Sequence, residues 1–182
     1  MNKLDYGYLS HMLSTIEDFT YLPIEVHILY YFVKHGLSTI SYAFIEEFCE
    51  EFMESQQVIS ATFRQQYKEQ CGSFMKAYVN QPRDKILEDL LERSDKWDVY
   101  SVSVLYVHLF GCIARVFSLQ NTFIHSITMA LSKNLHPDAH KRMTLEETFQ
   151  QCNALLNEQL SWEFVRTLDN AQMPLLMKEL SS

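Results

Sequence analysis

Apolar residues recur every three or four positions over most of this chain, the spacing of amphipathic helices. Pro23 opens the first such run, with Val26, Leu29, Tyr30 and Val33 on one face. Lys34 and His35 stand at its end and Gly36 follows, which is a helix C-terminus signal. A second helix is predicted over about 41–54, where Phe44, Phe48 and Phe52 recur beside Ile45 and Cys49. Its other positions are Glu46, Glu47, Glu50, Glu51 and Glu54, an acidic face that reads as solvated surface. A third covers about 61–79, with a looser stripe of Phe63, Tyr67, Phe74, Met75 and Tyr78 that Gly72 interrupts, and Pro82 ends the run. Residues 84–93 predict a short helix through Ile86, Leu87, Leu90 and Leu91.

The longest apolar run follows, about 98–118, with Asp98 placed as a natural N-cap. A helix apolar on nearly all faces belongs at the centre of a helical domain, so this one is expected to be the buried core. Helix 121–133 carries Phe123, Ile127 and Leu131. The next helix starts at Thr144, whose spacing to Glu147 is that of a capping box. Leu145, Phe149, Cys152 and Leu156 are its expected buried stripe. A last short helix is predicted near 161–169 through Trp162, Val165 and Leu168. Residues 1–22 show no sustained periodicity and read as irregular, and the tail after Asn170 is left unassigned. The pattern predicts an all-α single domain over 1–182.

Composition narrows the function. Four Gly and four Pro among 182 residues are too few for the many turns of a sandwich or barrel. The net charge of −8, with no Lys/Arg cluster, argues against a nucleic-acid partner and against a basic membrane-surface helix. Residues 99–119 are long enough to span a bilayer of about 30 Å. Arg115 and several hydroxyls lie inside them, however, and Asp95 and Asp98 precede them, so a buried helix rather than a membrane span is expected. Cys49, Cys71, Cys112 and Cys152 are far apart with no metal-ligand spacing, which fits reduced thiols in a cytoplasmic or other reducing setting. The opening residues do not read as a signal peptide. His136 and His140 have helix-like spacing, but Pro137 between them argues for a loop and against a metal site. No Walker loop or G-x-S-x-G string occurs.

Four strings remain: Asp5-Tyr6-Gly7; Pro23-Ile24-Glu25; Asp98-Val99-Tyr100-Ser101; and Arg142 followed by Thr144 and Glu147. Each alone is weak, but in this order they resemble the C-terminal lobe of the protein kinase family. Asp5-Tyr6-Gly7 resembles the D-F-G motif and Pro23-Ile24-Glu25 the A-P-E motif that closes the activation segment. Asp98 to Ser101 is similar to the start of the kinase central helix, with Ser103 where Gly is usual. Arg142-x-Thr144-x-x-Glu147 resembles the start of the last large helix. A narrower likeness, to kinase-like proteins of large nucleocytoplasmic DNA viruses, rests on Pro23-x-Glu25 followed by the Tyr-rich stretch 28–32.

The resemblance implies a buried bidentate ion pair between Glu25 and Arg142, and a helical insertion over 37–80, because Glu25 and Asp98 stand further apart than in kinases. It also implies what is missing. The Gly-rich loop, strand Lys and catalytic loop precede the D-F-G motif in the family, and no counterpart is expected here. Asp5 would be a Mg²⁺ ligand, and Mg-ATP a cofactor, only if an N-lobe were supplied; otherwise no catalytic residue, metal or cofactor is expected. The expected function is therefore that of a non-catalytic kinase-like domain, a protein-binding or structural component such as a virion protein. The alternative is the C-terminal part of a split serine/threonine kinase. A helical interaction module unrelated to kinases is a third reading, favoured if Asp98 does not start the most buried helix.

Overall fold

The computed structural model describes residues 6–16, 19–55, 61–117, 122–158 and 172–180. Among them the regular structure is helical: α1 Tyr6–Ser14, α2 Ile24–His35, α3 Tyr42–Ser55, α4 Ala61–Met75, α5 Arg83–Glu92, α6 Trp97–Val116, α7 Phe123–Ser132, α8 Leu145–Glu158 and α9 Met173–Leu180. Short 3-10 turns at Lys76–Tyr78, Ser94–Lys96, Lys133–Leu135 and Ala139–Lys141 join several of them. The helix expected at 161–169, and Asp5, lie outside the described residues.

The fold is built around α2. Ile24, Glu25, Val26, Ile28, Leu29 and Phe32 are all buried in this 12-residue helix. Each large apolar side chain fully removed from water contributes roughly 1.5–3 kcal/mol. Around it pack Leu13 of α1, Ile45 and Phe48 of α3, Tyr67 and Met75 of α4, Ile86, Leu87 and Leu90 of α5, and Tyr100 and Val104 of α6. Gly36 ends α2 in the left-handed region, φ 60°, where a glycine meets no steric cost. The α3–α4 pair leaves and returns at one point: Ile40 and Val79 form a parallel bridge, and the Asn80 N–H donates to Ile40 O at 3.2 Å. The acidic face of α3 (Glu46, Glu47, Glu50 and Glu51) is exposed, with Glu50 paired to Lys68 of α4. A second, smaller core joins Phe117 and Ile124 with Phe110, Ile113, Phe123 and Leu176, uniting the end of α6 with α7 and α9.

Four expectations are corrected. The expected buried centre, α6, buries Val99, Tyr100, Ser103, Val104 and Cys112, while Val102, Leu105 and Tyr106 stand about half exposed. Its length and composition are also those of a membrane-crossing helix, and only 28% of its most apolar stretch is buried, less than a core helix requires. The reason is geometric: α2 occupies the centre, so α6 presents one face to it and the other outward. Asp98 is not an N-cap; it lies exposed in the first turn of α6, which begins at Trp97 after the Ser94–Lys96 turn. The stripe of α8 is outward too: Leu145 and Phe149 are 68% and 63% exposed, and Leu156 is exposed. Of that stripe only Cys152 turns inward, half-buried with Thr148 and Leu155, and Asn134 Nδ2 donates to Thr148 Oγ1 at 3.1 Å on this side. Finally, α1 forms within the stretch read as irregular. Among its described side chains Tyr8 and Met12 are exposed and Leu13 is buried.

Candidate functional site

The loop between α7 and α8 carries the densest polar network. His136 follows the Lys133–Leu135 turn, Pro137 and Asp138 continue it, and the Asp138 carboxylate accepts from the His140 N–H at 3.0 Å. Arg142 then points back under its own loop. Its Nε donates to His136 O at 2.6 Å, and its Nη2 donates to Pro137 O at 2.9 Å and to Glu25 Oε2 at 2.8 Å. Lys96 Nζ donates to Arg142 O at 3.3 Å. The guanidinium lies 4.8 Å over the ring of Tyr100, whose hydroxyl meets that of Tyr67 at 3.0 Å. One residue thereby links α2, α4, α6 and the loop.

The Glu25–Arg142 pair is buried on both sides, 0% exposed at Arg142 and 2% at Glu25. It is not bidentate: Glu25 Oε1 and Arg142 Nη1 have no hydrogen-bond partner. Burial pushes the Glu25 carboxyl above its ordinary range, with the Arg142 charge pulling against it. Tyr67 and Tyr100 are likewise raised by burial and stay protonated. Beside the pair, Asn134 donates to Ser103 Oγ at 3.1 Å and accepts from the Met143 N–H at 3.1 Å, locking the start of α8. The Thr144–Glu147 capping box is formed in both directions: Glu147 N–H donates to Thr144 Oγ1 at 3.1 Å and Thr144 N–H to Glu147 Oε2 at 2.7 Å.

The loop and α4 enclose a cleft of about 570 Å³ lined by Glu69, Gln70, Phe74, Ala77, His136 and Asp138, among others. Sequence reasoning found Glu25, Arg142 and the capping box but missed this cleft, the Tyr67–Tyr100 contact and Asn134. Their partners lie far off in the chain, and their only signal was the Tyr100 of the string that opens at Asp98. Pro23 precedes α2 as expected, whereas Tyr6 and Gly7 sit in the first turn of α1 rather than in a loop. Among the described residues no group of three or more His, Cys, Asp or Glu could hold a metal ion.

The fold and site define an all-α domain stapled by one buried ion pair, with a polar cleft beside it. Comparison with protein-family models, with curated proteins and with solved structures gives no match.

Proposed function

We propose that this chain is a non-catalytic, kinase-like helical domain that acts by binding a protein partner, as a regulatory or virion component in a reducing intracellular setting. The buried Glu25–Arg142 pair carries the reading. Two residues 117 positions apart meet where the ordered resemblance requires them to. The meeting of Ile40 with Val79 supports reading 37–80 as an inserted unit, because an insertion must return to its starting point. The outward face of α6 speaks against a full kinase lobe and favours the third reading, a helical interaction module unrelated to kinases, since the likeness calls for Asp98 to start the most buried helix and α2 holds that place.

The experiment is calorimetric titration with Mg-ATP. No saturable binding is expected of a non-catalytic domain. Tight binding would overturn the proposal.

A second reading, the C-terminal part of a split serine/threonine kinase, is favoured by one observation. Val102, Leu105 and Tyr106 form an apolar strip on α6 that a second polypeptide could cover. An in-frame H-R-D-x-x-x-x-N string in the coding region upstream of Met1 is its test.

A further inference from the structure

Helix α6 carries no Asp, Glu, Lys or Arg from Val99 to Ala114. Its inward side is committed to the body of the domain. Val99, Tyr100, Ser103 and Val104 are buried, the Tyr100 hydroxyl meets that of Tyr67, and Asn134 Nδ2 donates to Ser103 Oγ. His108 is turned to Cys112 and to the ring of Tyr21. The outward side shows Val102, Leu105 and Tyr106, each about half exposed, with Leu109 half-buried beyond them. These positions stand at i, i+3, i+4 and i+7, so they form one strip along the helix. At the C-terminal end of α6, Arg115 Nε donates to Glu179 Oε2 at 2.5 Å and holds α9 there. Helix α9 buries none of its residues, and its Met173, Leu175 and Leu180 stand exposed.

A helix this long and this apolar is ordinarily a core helix or a secretory signal. Neither explanation fits α6. Only 28% of its most apolar stretch is buried, and it starts at Trp97, after five other helices. A protein partner fits less well than a bilayer. Protein interfaces make about one hydrogen bond per 100–200 Å², and the strip offers a single polar group, the Tyr106 hydroxyl. A bilayer asks for none, and its interface accommodates tyrosine.

We infer that the outward face of α6, extended by α9, rests on a lipid bilayer and lies in its plane. A helix with one apolar face outward and the other packed on protein suits such an interfacial position. It does not cross, because its inward side would have to give up the Tyr67 and Asn134 contacts to enter hydrocarbon. The lipid it suits is zwitterionic. The charges flanking the strip cancel, with Asp95, Asp98 and Lys96 at one end and Arg115, Lys178 and Glu179 at the other, and the chain as a whole carries −8. Apolar burial, and not attraction to anionic headgroups, therefore supplies the affinity. This surface goes beyond the function proposed above and does not depend on the kinase resemblance.

The test is co-sedimentation of the full chain with phosphatidylcholine vesicles. Saturable binding is expected, unchanged by added salt and not raised by including phosphatidylserine. Leu105→Glu puts a charge into the strip at an exposed position, and should weaken binding about tenfold or more while leaving the thermal midpoint unchanged. Met129→Glu, at an exposed apolar position of α7, should bind as wild type does. In Tyr106→Trp the added indole emission should shift to the blue on binding and be quenched by brominated lipid. No sedimentation, equal losses in the two Glu variants, or binding that needs phosphatidylserine and vanishes in salt would overturn the inference. So would a lipid-free dimer that Leu105→Glu dissolves, which gives the strip to a second copy, or a polypeptide that the strip binds in preference to vesicles. Protection of one chain end from protease added outside sealed vesicles would show that α6 crosses, and would overturn the in-plane contact. The Mg-ATP titration is read separately, so failure of the one is distinguishable from failure of the other.

Discussion

Arg142 gathers acceptors from its own loop and from the first turn of α2, so its loss is felt in both places. Glu25→Leu leaves the buried guanidinium without its carboxylate. The expected cost is about 3–5 kcal/mol, read as a lowered denaturant midpoint at unchanged slope. A loss no larger than that of a surface pair would show that the pair does not hold the loop. His27 gives a pH signature. Its Nε2–H donates to Phe19 O at 3.0 Å, and burial lowers its pKa to about 4. In the unfolded chain the same ring takes up a proton near pH ~6.5. Between these values the unfolded state binds more protons, so this contribution is fully present above ~6.5 and is lost as pH falls through the folded value. It amounts to at most ~3 kcal/mol. Glu25, raised by burial, works in the opposite sense and weakens stability as pH rises from the ordinary carboxylate range. Chemical denaturation at stepped pH should therefore show wild type losing more stability on acidification than His27→Gln, which keeps a donor but cannot titrate. Parallel curves would exclude His27 as the source.

At the scale of the element, two glycines separate backbone conformation from packing. Gly36 ends α2 at φ 60°, and a Cβ added there would meet no atom within 4 Å. Gly36→Ala is thus expected to cost about 1–2 kcal/mol from the left-handed backbone alone. Gly111 likewise has open space for an added methyl, but it lies within the helical span of α6. Gly111→Ala should raise stability by about 1 kcal/mol through helix propensity. Thermal melts of the two variants should move in opposite directions, and movement in the same direction would contradict the assigned backbone at one of them. The helix ends show what local sequence specifies. The Gly36 terminus and the Thr144–Glu147 box form as the sequence predicts, because each is completed within a few residues of chain. Asp98 fails as a cap because the Ser94–Lys96 turn already feeds the helix one residue earlier.

For the whole molecule, the question is which helix takes the centre. Composition favours α6, the longest apolar run, but the interior goes to α2. Helix α2 is short enough to be surrounded by α1, α3, α4, α5 and one face of α6, and six of its residues leave water together. That choice turns the other face of α6 outward and leaves Leu145 and Phe149 of α8 in solvent. It also sets α4 beside the α7–α8 loop, which creates the cleft.

Helical class, most helix boundaries, the solvated acidic face of α3 and the Glu25–Arg142 pairing could all be read from sequence. The first three follow from periodicity and local hydrogen bonding, and the pairing followed from a resemblance in motif order. Tertiary structure alone decided which helix is central, which face of α6 and α8 points inward, and that the ion pair is made through one oxygen and not two. Those outcomes depend on competition among several apolar faces for one interior. No single stretch of chain contains the result of that competition.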